Sequence, residues 1–180
     1  MKREYLRLLQ HRTAYLSIGK SSLRNQGAPG VIAVSREYLQ NMELKKLAKI
    51  SSEKSFKKYL DEHTNNLKKS FPQKANKNWG AARKAINLFL RDCLYNSYLC
   101  DKYKISDLEK LFEVPLDSYV AKEIYRLHSK EVPRWKSIKS LTPEISAKYQ
   151  TAAAKTSTKE KVSRVHLDIK YWRNGNYTGK

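Results

Sequence analysis

A chain of 180 residues with 40% hydrophobic content can build one compact domain but not several. Its 37 Lys and Arg against 17 Asp and Glu leave a formal charge of +20, a broad positive surface whose natural partners are polyanions. No run approaches the roughly 18–20 apolar residues that span a bilayer, the start "MKREYLRLLQHR" is too charged for a signal peptide, and the basic residues are spread along the chain rather than set on one amphipathic helix, which argues against a membrane-surface binder.

Residues 1–18 place Tyr5, Leu8, Leu9, Tyr15 and Leu16 at helical spacing and end near Gly19. "SSLRNQGAPG" is a turn-rich loop, marked by Gly27, Pro29 and Gly30. "VIAVSREYLQ" reads as helix, followed by helical segments at about Met42–Ile50 and, after the start signal "SSEKS", Ser55–Lys69, with Pro72 as the stop. The longest apolar stretch is predicted as one helix from Gly80 to about Tyr103, carrying Ala85, Leu88, Phe89 and Leu99. A short helix follows over Ser106–Glu113. Asp117 is then an N-cap before Val120, Ile124 and Leu127. Thr142 caps the next helix with Pro143 at its first position. "VSRVHLDIKYWR" alternates as a strand would, but an isolated strand has nothing to pair with, so helix is expected; the tail "NGNYTGK" is expected to fray. The fold class is all-α, a single domain with a cleft between two helical lobes, about 1–75 with 140–180 and 76–139.

Cys93 and Cys100 are seven apart on the predicted helix, about 10 Å along its axis and too far for a disulfide. Two cysteines cannot supply a four-thiolate cluster, and His11, His63, His128 and His166 show no ligand spacing with them. We expect no metal, no cofactor, and a monomer of the reducing cytoplasm near the nucleoid.

One stretch sets a problem. In "NWGAARKAINLFLRD", Arg83 and Lys84 sit at the start of a helix, where the backbone dipole disfavours each cation by up to about 1 kcal/mol. Either the spot is solvated surface, the ordinary place for such a lysine, or the lysine is wanted there with a weakened hold on its proton.

"WGAARKAINLFL" resembles the helix-hairpin-helix segment of base-excision DNA glycosylases, Gly-x-Gly-Arg-Lys-x-x-Asn followed by apolar residues, with Gly80, Arg83, Lys84 and Asn87 in register. "EVPLDSYVAKEI" resembles the family's Val-Pro-Val-Asp-x-His-Val segment through Val114, Pro115, Asp117 and Val120. Ala82 stands where the hairpin has its second glycine, a position the turn must then manage without glycine's conformational freedom. Tyr119 stands where the second motif has His. The 33 residues from Lys84 to Asp117 exceed the spacing of the endonuclease III branch and are similar to that of archaeal-type 8-oxoguanine glycosylases.

The resemblance implies a helical glycosylase fold, double-stranded DNA bearing a modified base as partner, Lys84 as nucleophile and Asp117 as its acidic companion. Such chemistry needs these residue types. Breaking an N-glycosidic bond builds positive charge on the sugar, which a nearby carboxylate stabilises, and a capping position favours the ionised form of Asp117. A lysine must be a free amine to attack C1′, whereas its reference pKa is about 10.4. Arg83, the helix dipole and partial burial are expected to bring Lys84 down. The turn around Gly80, helped by Arg83, is expected to hold a DNA phosphate through backbone N–H groups.

Extruding the base calls for aromatic wedges or plates, among which Trp79, Trp135, Tyr119 and Tyr149 are candidates. Gln150, on a late helix where similar enzymes of the 8-oxoguanine type carry Gln, is a candidate base contact, as are the amides of Asn25 and Gln26 in the glycine-rich loop. Asp168 reads as an ion-pair partner of the surrounding Lys and Arg, and Asp92 and Asp61 lie on predicted helices and need no function. The substrate class left open is an oxidised base such as 8-oxoguanine or a bulky modified base of phage DNA. The rivals are a hairpin DNA-binding module without chemistry and a passively basic, ribosome-associated protein.

Overall fold

The computed structural model describes residues 2–23 and 25–172, and every element among them is helical. The α-helices are α1 (Arg3–Ser17), α2 (Lys20–Leu23), α3 (Val31–Gln40), α4 (Glu53–Ser70), α5 (Trp79–Tyr95), α6 (Ser97–Tyr103), α7 (Ser118–His128), α8 (Pro143–Glu160) and α9 (Leu167–Tyr171). Short 3-10 turns at Leu44–Lys49, Ile105–Leu111 and Arg164–His166 occupy parts of segments predicted as helix, and others lie at Gln73–Ala75 and Ile138–Ser140. The tail "NGNYTGK" lies outside the described residues. Among the described residues no helix is long and apolar enough to cross a membrane.

Polar side chains set the helix starts. Ser52 and Ser55 form a reciprocal capping box on α4. Asn78 Oδ1 accepts the Ala81 N–H at the head of α5, Asp117 accepts two N–H groups at the head of α7, and Thr142 caps α8 with Pro143 in its first turn. The single helix expected from Gly80 to Tyr103 is instead two. Asn96 adopts extended backbone between α5 and α6, and its side chain accepts the Leu99 N–H, so it caps the second helix rather than continuing the first. Cys93 and Cys100 therefore lie on successive helices, both buried thiols.

Helix α5 is the axis of the molecule. Every residue from Gly80 to Leu90 is buried, including Arg83, Lys84 and Asn87, because α1, α3, α4 and α6 pack around it. A helix enclosed on all sides is the expected outcome of "GAARKAINLFL", which is apolar or small at most positions. Two cores result. The larger gathers buried residues of α1 through α6 up to Phe112, together with Val165. The smaller runs from Val114 through α7, α8 and α9, with Trp79 packed against it. Helix α5 packs with the N-terminal helices and also with α6 and the 3-10 turns at Ile105–Leu111 and Ile138–Ser140, and the two cores divide at Glu113.

Close packing at the head of α5 has a measurable consequence. A Cβ on Gly80 would lie 2.1 Å from Ile138 O and 2.8 Å from Leu141 Cβ. Gly→Ala inside an exposed helix is favourable by about 1 kcal/mol, but here Gly80→Ala is expected to lower stability by about 1–3 kcal/mol through overpacking. The midpoint of urea unfolding checks the sign.

Candidate functional site

Lys84 and Asp117 come from different cores and meet at the seam. Lys84 projects from the buried face of α5, and its Nζ lies 3.7 Å from Asp117 Oδ2. The other carboxylate oxygen, Oδ1, accepts the N–H groups of Tyr119 and Val120 at 2.9 and 3.0 Å, so the first turn of α7 orients the acid while its second oxygen faces the amine.

Both side chains line one cleft of about 490 Å³. Its floor adds Arg91, Asp92 and Asp168. Its rim carries large apolar groups that remain exposed, Leu16, Tyr95, Ile169 and Trp172. Serines from the end of α1 and from α2, Ser17, Ser21 and Ser22, complete one side. Arg91 bridges the floor, donating from Nε to Asp92 Oδ1 at 2.8 Å and pairing with Asp168 on α9. Tyr95 is held at the rim by stacking on His166, whose Nδ1 lies 2.8 Å from its hydroxyl.

Burial is the main force on the Lys84 amine. With 6% of its side chain exposed, desolvation pushes its pKa down, the nearby Asp117 opposes this, and Arg91 adds a smaller downward push; the net direction is below the ordinary lysine value. The direction matches the sequence-based expectation, but the neighbouring cation does not. Arg83 is buried on another side of α5 and is committed elsewhere. Its Nε and Nη2 donate to the two oxygens of Glu113 at 2.8 Å each, and Nη1 donates to Asp61 and Thr64 of α4 at 3.0 and 3.1 Å. Burial alone would raise the Glu113 carboxyl, but the Arg83 guanidinium and the Asn87 amide outweigh it and hold Glu113 below the usual carboxylate range. A guanidinium enclosed in this way cannot reach a phosphate.

Several other expected contacts fall away from the cleft. Gly80 is covered by Ile138 and Leu141, so its turn offers no open backbone cradle. Trp79 is packed against the smaller core under the Arg83 guanidinium. Tyr149 is fully buried, donates its hydroxyl to Pro133 O and meets Trp135 edge to face. Gln150 is buried too, and its amide joins both backbone groups of Val114 instead of facing a ligand. Asn25 and Gln26 line a separate depression with Gly27, Gly30 and Lys139, where Gln26 receives the Asn78 side-chain amide that helps fix the α5 cap. Tyr119 stays exposed beside Asp117 on α7.

The floor and rim residues Leu88, Arg91, Asp92 and Tyr95 escaped the sequence reading, although their signal was present. They follow Lys84 at intervals of four, seven, eight and eleven, which is one face of a helix. Asp168, Trp172 and the three serines carry no such signal, because only tertiary packing brings α9 and α2 to this face. Among the described residues, no group of three or more His, Cys, Asp or Glu side chains is arranged to hold a metal ion. No family model, curated protein or solved structure matches the chain.

A lysine with lowered folded-state pKa makes a pH-dependent contribution to stability. Above the ordinary lysine pKa both states are neutral and nothing is lost. As pH falls through the window between that value and the lower folded one, the unfolded chain binds more protons, so stability declines, and below the window the cost persists in full. Lys84→Met, which removes that cost, is therefore expected to stabilise the protein at pH 7 by about 0.5–2 kcal/mol, the usual size of a single stabilising substitution. It should also flatten the rise in thermal midpoint between neutral and alkaline pH, as followed by circular dichroism.

Proposed function

We propose that this protein is a DNA glycosylase of the helix-hairpin-helix superfamily that extrudes a damaged or modified base and excises it with Lys84 as nucleophile and Asp117 as acid–base and electrostatic partner. The observation that carries the proposal is the meeting of an amine below its ordinary pKa and a helix-capping carboxylate, 3.7 Å apart, in one accessible cleft. Two segments 33 residues apart in sequence supply them, in the order the resemblance implies. The order of α4, a short connection and α5, with the lysine in the second helix, suits that superfamily.

The cleft suits an extruded nucleotide. The rim aromatics Tyr95 and Trp172 offer plates for a planar base. The floor sets the Arg91 guanidinium among the Asp92 and Asp168 carboxylates that it pairs with, a set of donors and acceptors able to meet the polar edge of a base. The positive surface outside the cleft binds the phosphodiester backbone, with affinity that falls steeply as salt rises.

In the reaction, the neutral Lys84 amine bonds to C1′ as the glycosidic bond breaks, and that bond's electron pair leaves with the base, which takes up a proton. Asp117 stabilises the positive charge on the sugar and accepts a proton from the resulting ammonium. It returns that proton to O4′ as the nitrogen lone pair breaks the C1′–O4′ bond, which opens the sugar ring and leaves a protonated Schiff base. Water then releases the abasic site, or loss of a C2′ proton expels the 3′ phosphate.

Borohydride trapping on oligonucleotides bearing 8-oxoguanine, uracil or glucosylated hydroxymethylcytosine tests this. A covalent adduct is expected with at least one of them, absent in Lys84→Gln and reduced on the order of a hundredfold or more in Asp117→Asn, the scale for loss of a principal electrostatic group. Its rate is expected to rise with pH along a limb below that of free lysine, because only the deprotonated amine attacks. Base release without an adduct would transfer the chemistry to Asp117 and water. Neither adduct nor release on any modified DNA would leave a non-catalytic hairpin module.

A further inference from the structure

The segment that delivers Asp117 is extended and without regular structure from residue 112 to residue 117, yet it is fastened along its length. Arg164 donates to the carbonyls of Leu111 and Phe112 at 2.8 and 2.7 Å. Glu113 is gripped by Arg83 through two bonds of 2.8 Å and by Asn87 Nδ2 at 2.9 Å. The Gln150 amide accepts the Val114 N–H at 3.0 Å and donates to the Val114 carbonyl at 2.8 Å, pairing with that residue as a neighbouring strand would. Val114, Pro115 and Leu116 are buried, and the next residue is Asp117.

Arg83 and Asn87 lie on either side of Lys84 in sequence and project from the same helix. The helix that carries the amine thus also holds, through short charge-assisted bonds, the segment that carries the acid. Gln150 of α8 closes the hold from the opposite core. We infer that Arg83, Asn87 and Gln150 are positioning residues, which act through Glu113 and the Val114 peptide groups to set the separation of the Lys84 amine and the Asp117 carboxylate.

The residues that the sequence assigns to phosphate and base are thereby given a different task. Arg83 cannot be swapped for Lys, because a point-charge ammonium lacks the fork that meets both Glu113 oxygens and Asp61 together. Gln150 is required as an amide, since it must donate and accept at once. Leaving the Val114 N–H and C=O unpaired inside the core would let the segment shift to find other partners.

This inference rests on the glycosylase reading for its purpose but not for its readout. Lys84 can be labelled with a small amine-acylating reagent across a pH series, without DNA, and quantified by mass spectrometry of its peptide. Among the described residues, the charged and titratable groups at its cleft are Asp117 from the head of α7, Arg91, Asp92 and Tyr95 on α5, and Asp168 on α9, while α1 and α2 present Leu16 and serines. Of these, Asp117 is the one that the proposed restraint holds near the amine, and it favours the protonated form.

In Gln150→Met, which keeps the volume and removes both bonds, the labelling midpoint of Lys84 is expected to move to lower pH and labelling at pH 8 to rise severalfold. With a substrate DNA, the single-turnover rate of adduct formation is expected to fall while DNA affinity is retained. Leu39→Ala, a cavity in the larger core, should lower the thermal midpoint and leave the labelling curve in place.

A labelling curve for folded Gln150→Met that overlays the wild type would overturn the inference and leave Gln150 as packing alone. If that variant does not fold, Asn87→Ser, with a small side chain that cannot span to Glu113, decides on the same criterion. The two readings fail separately. Absence of any adduct from the wild type on every modified DNA removes the glycosylase assignment and leaves the labelling result standing; an adduct together with unmoved labelling removes the positioning role alone.

Discussion

Burying the Lys84 amine is the constraint around which the rest of the molecule is arranged. An ammonium removed from water is costly unless a partner compensates. Here the compensation is partial: one carboxylate at 3.7 Å that is itself shared with the head of α7. A fully satisfied pair would be inert, with the lysine permanently charged. An unpaired lysine would be expensive to fold around. The observed separation lies between these limits, keeping the amine in place while its proton is loosely held.

Such a compromise needs rigidity nearby, and the second buried cation supplies it. Arg83 is one residue from Lys84 and equally enclosed, yet its surroundings are opposite in character. Two oxygens of Glu113, one of Asp61 and the Thr64 hydroxyl meet its donors in good geometry. Its charge is thereby fixed, and burial, which alone would weaken it, is outweighed by Glu113 and Asp61. Two adjacent cations on one helix thus divide the work: one is neutralised by neighbours to hold the architecture, and the other is left under-compensated at the edge of a cleft.

The head of α5 explains how a helix start can carry both. The dipole penalty of a first turn applies most strongly where N–H groups are unsatisfied. Asn78 caps this helix through Ala81, and Gln26 anchors Asn78 in turn. Ile138 closes over Gly80, so the cations enter the core about a turn further along instead of standing at an open terminus.

Much of this was legible from the amino-acid order. The all-helical class followed from periodicity; Asp117, Thr142 with Pro143 and the Ser52 region marked helix starts because caps are local chemistry; and Lys84 with Asp117 stood out as a pair from two short motifs. What sequence could not settle is which side of a helix faces what. Arg83 reads as a phosphate contact until Glu113 is seen on it, and Gln150 as a base contact until Val114 fills both its bonds. Asn96 reads as mid-helix until its side chain is seen capping the next one. Local order determines helix propensity, caps and the spacing of faces, since these depend on neighbours within a turn or two. Only the tertiary structure decides which polar groups are spent on one another and which, like the amine of Lys84, are left facing a cleft, because burial and pairing depend on residues tens of positions away.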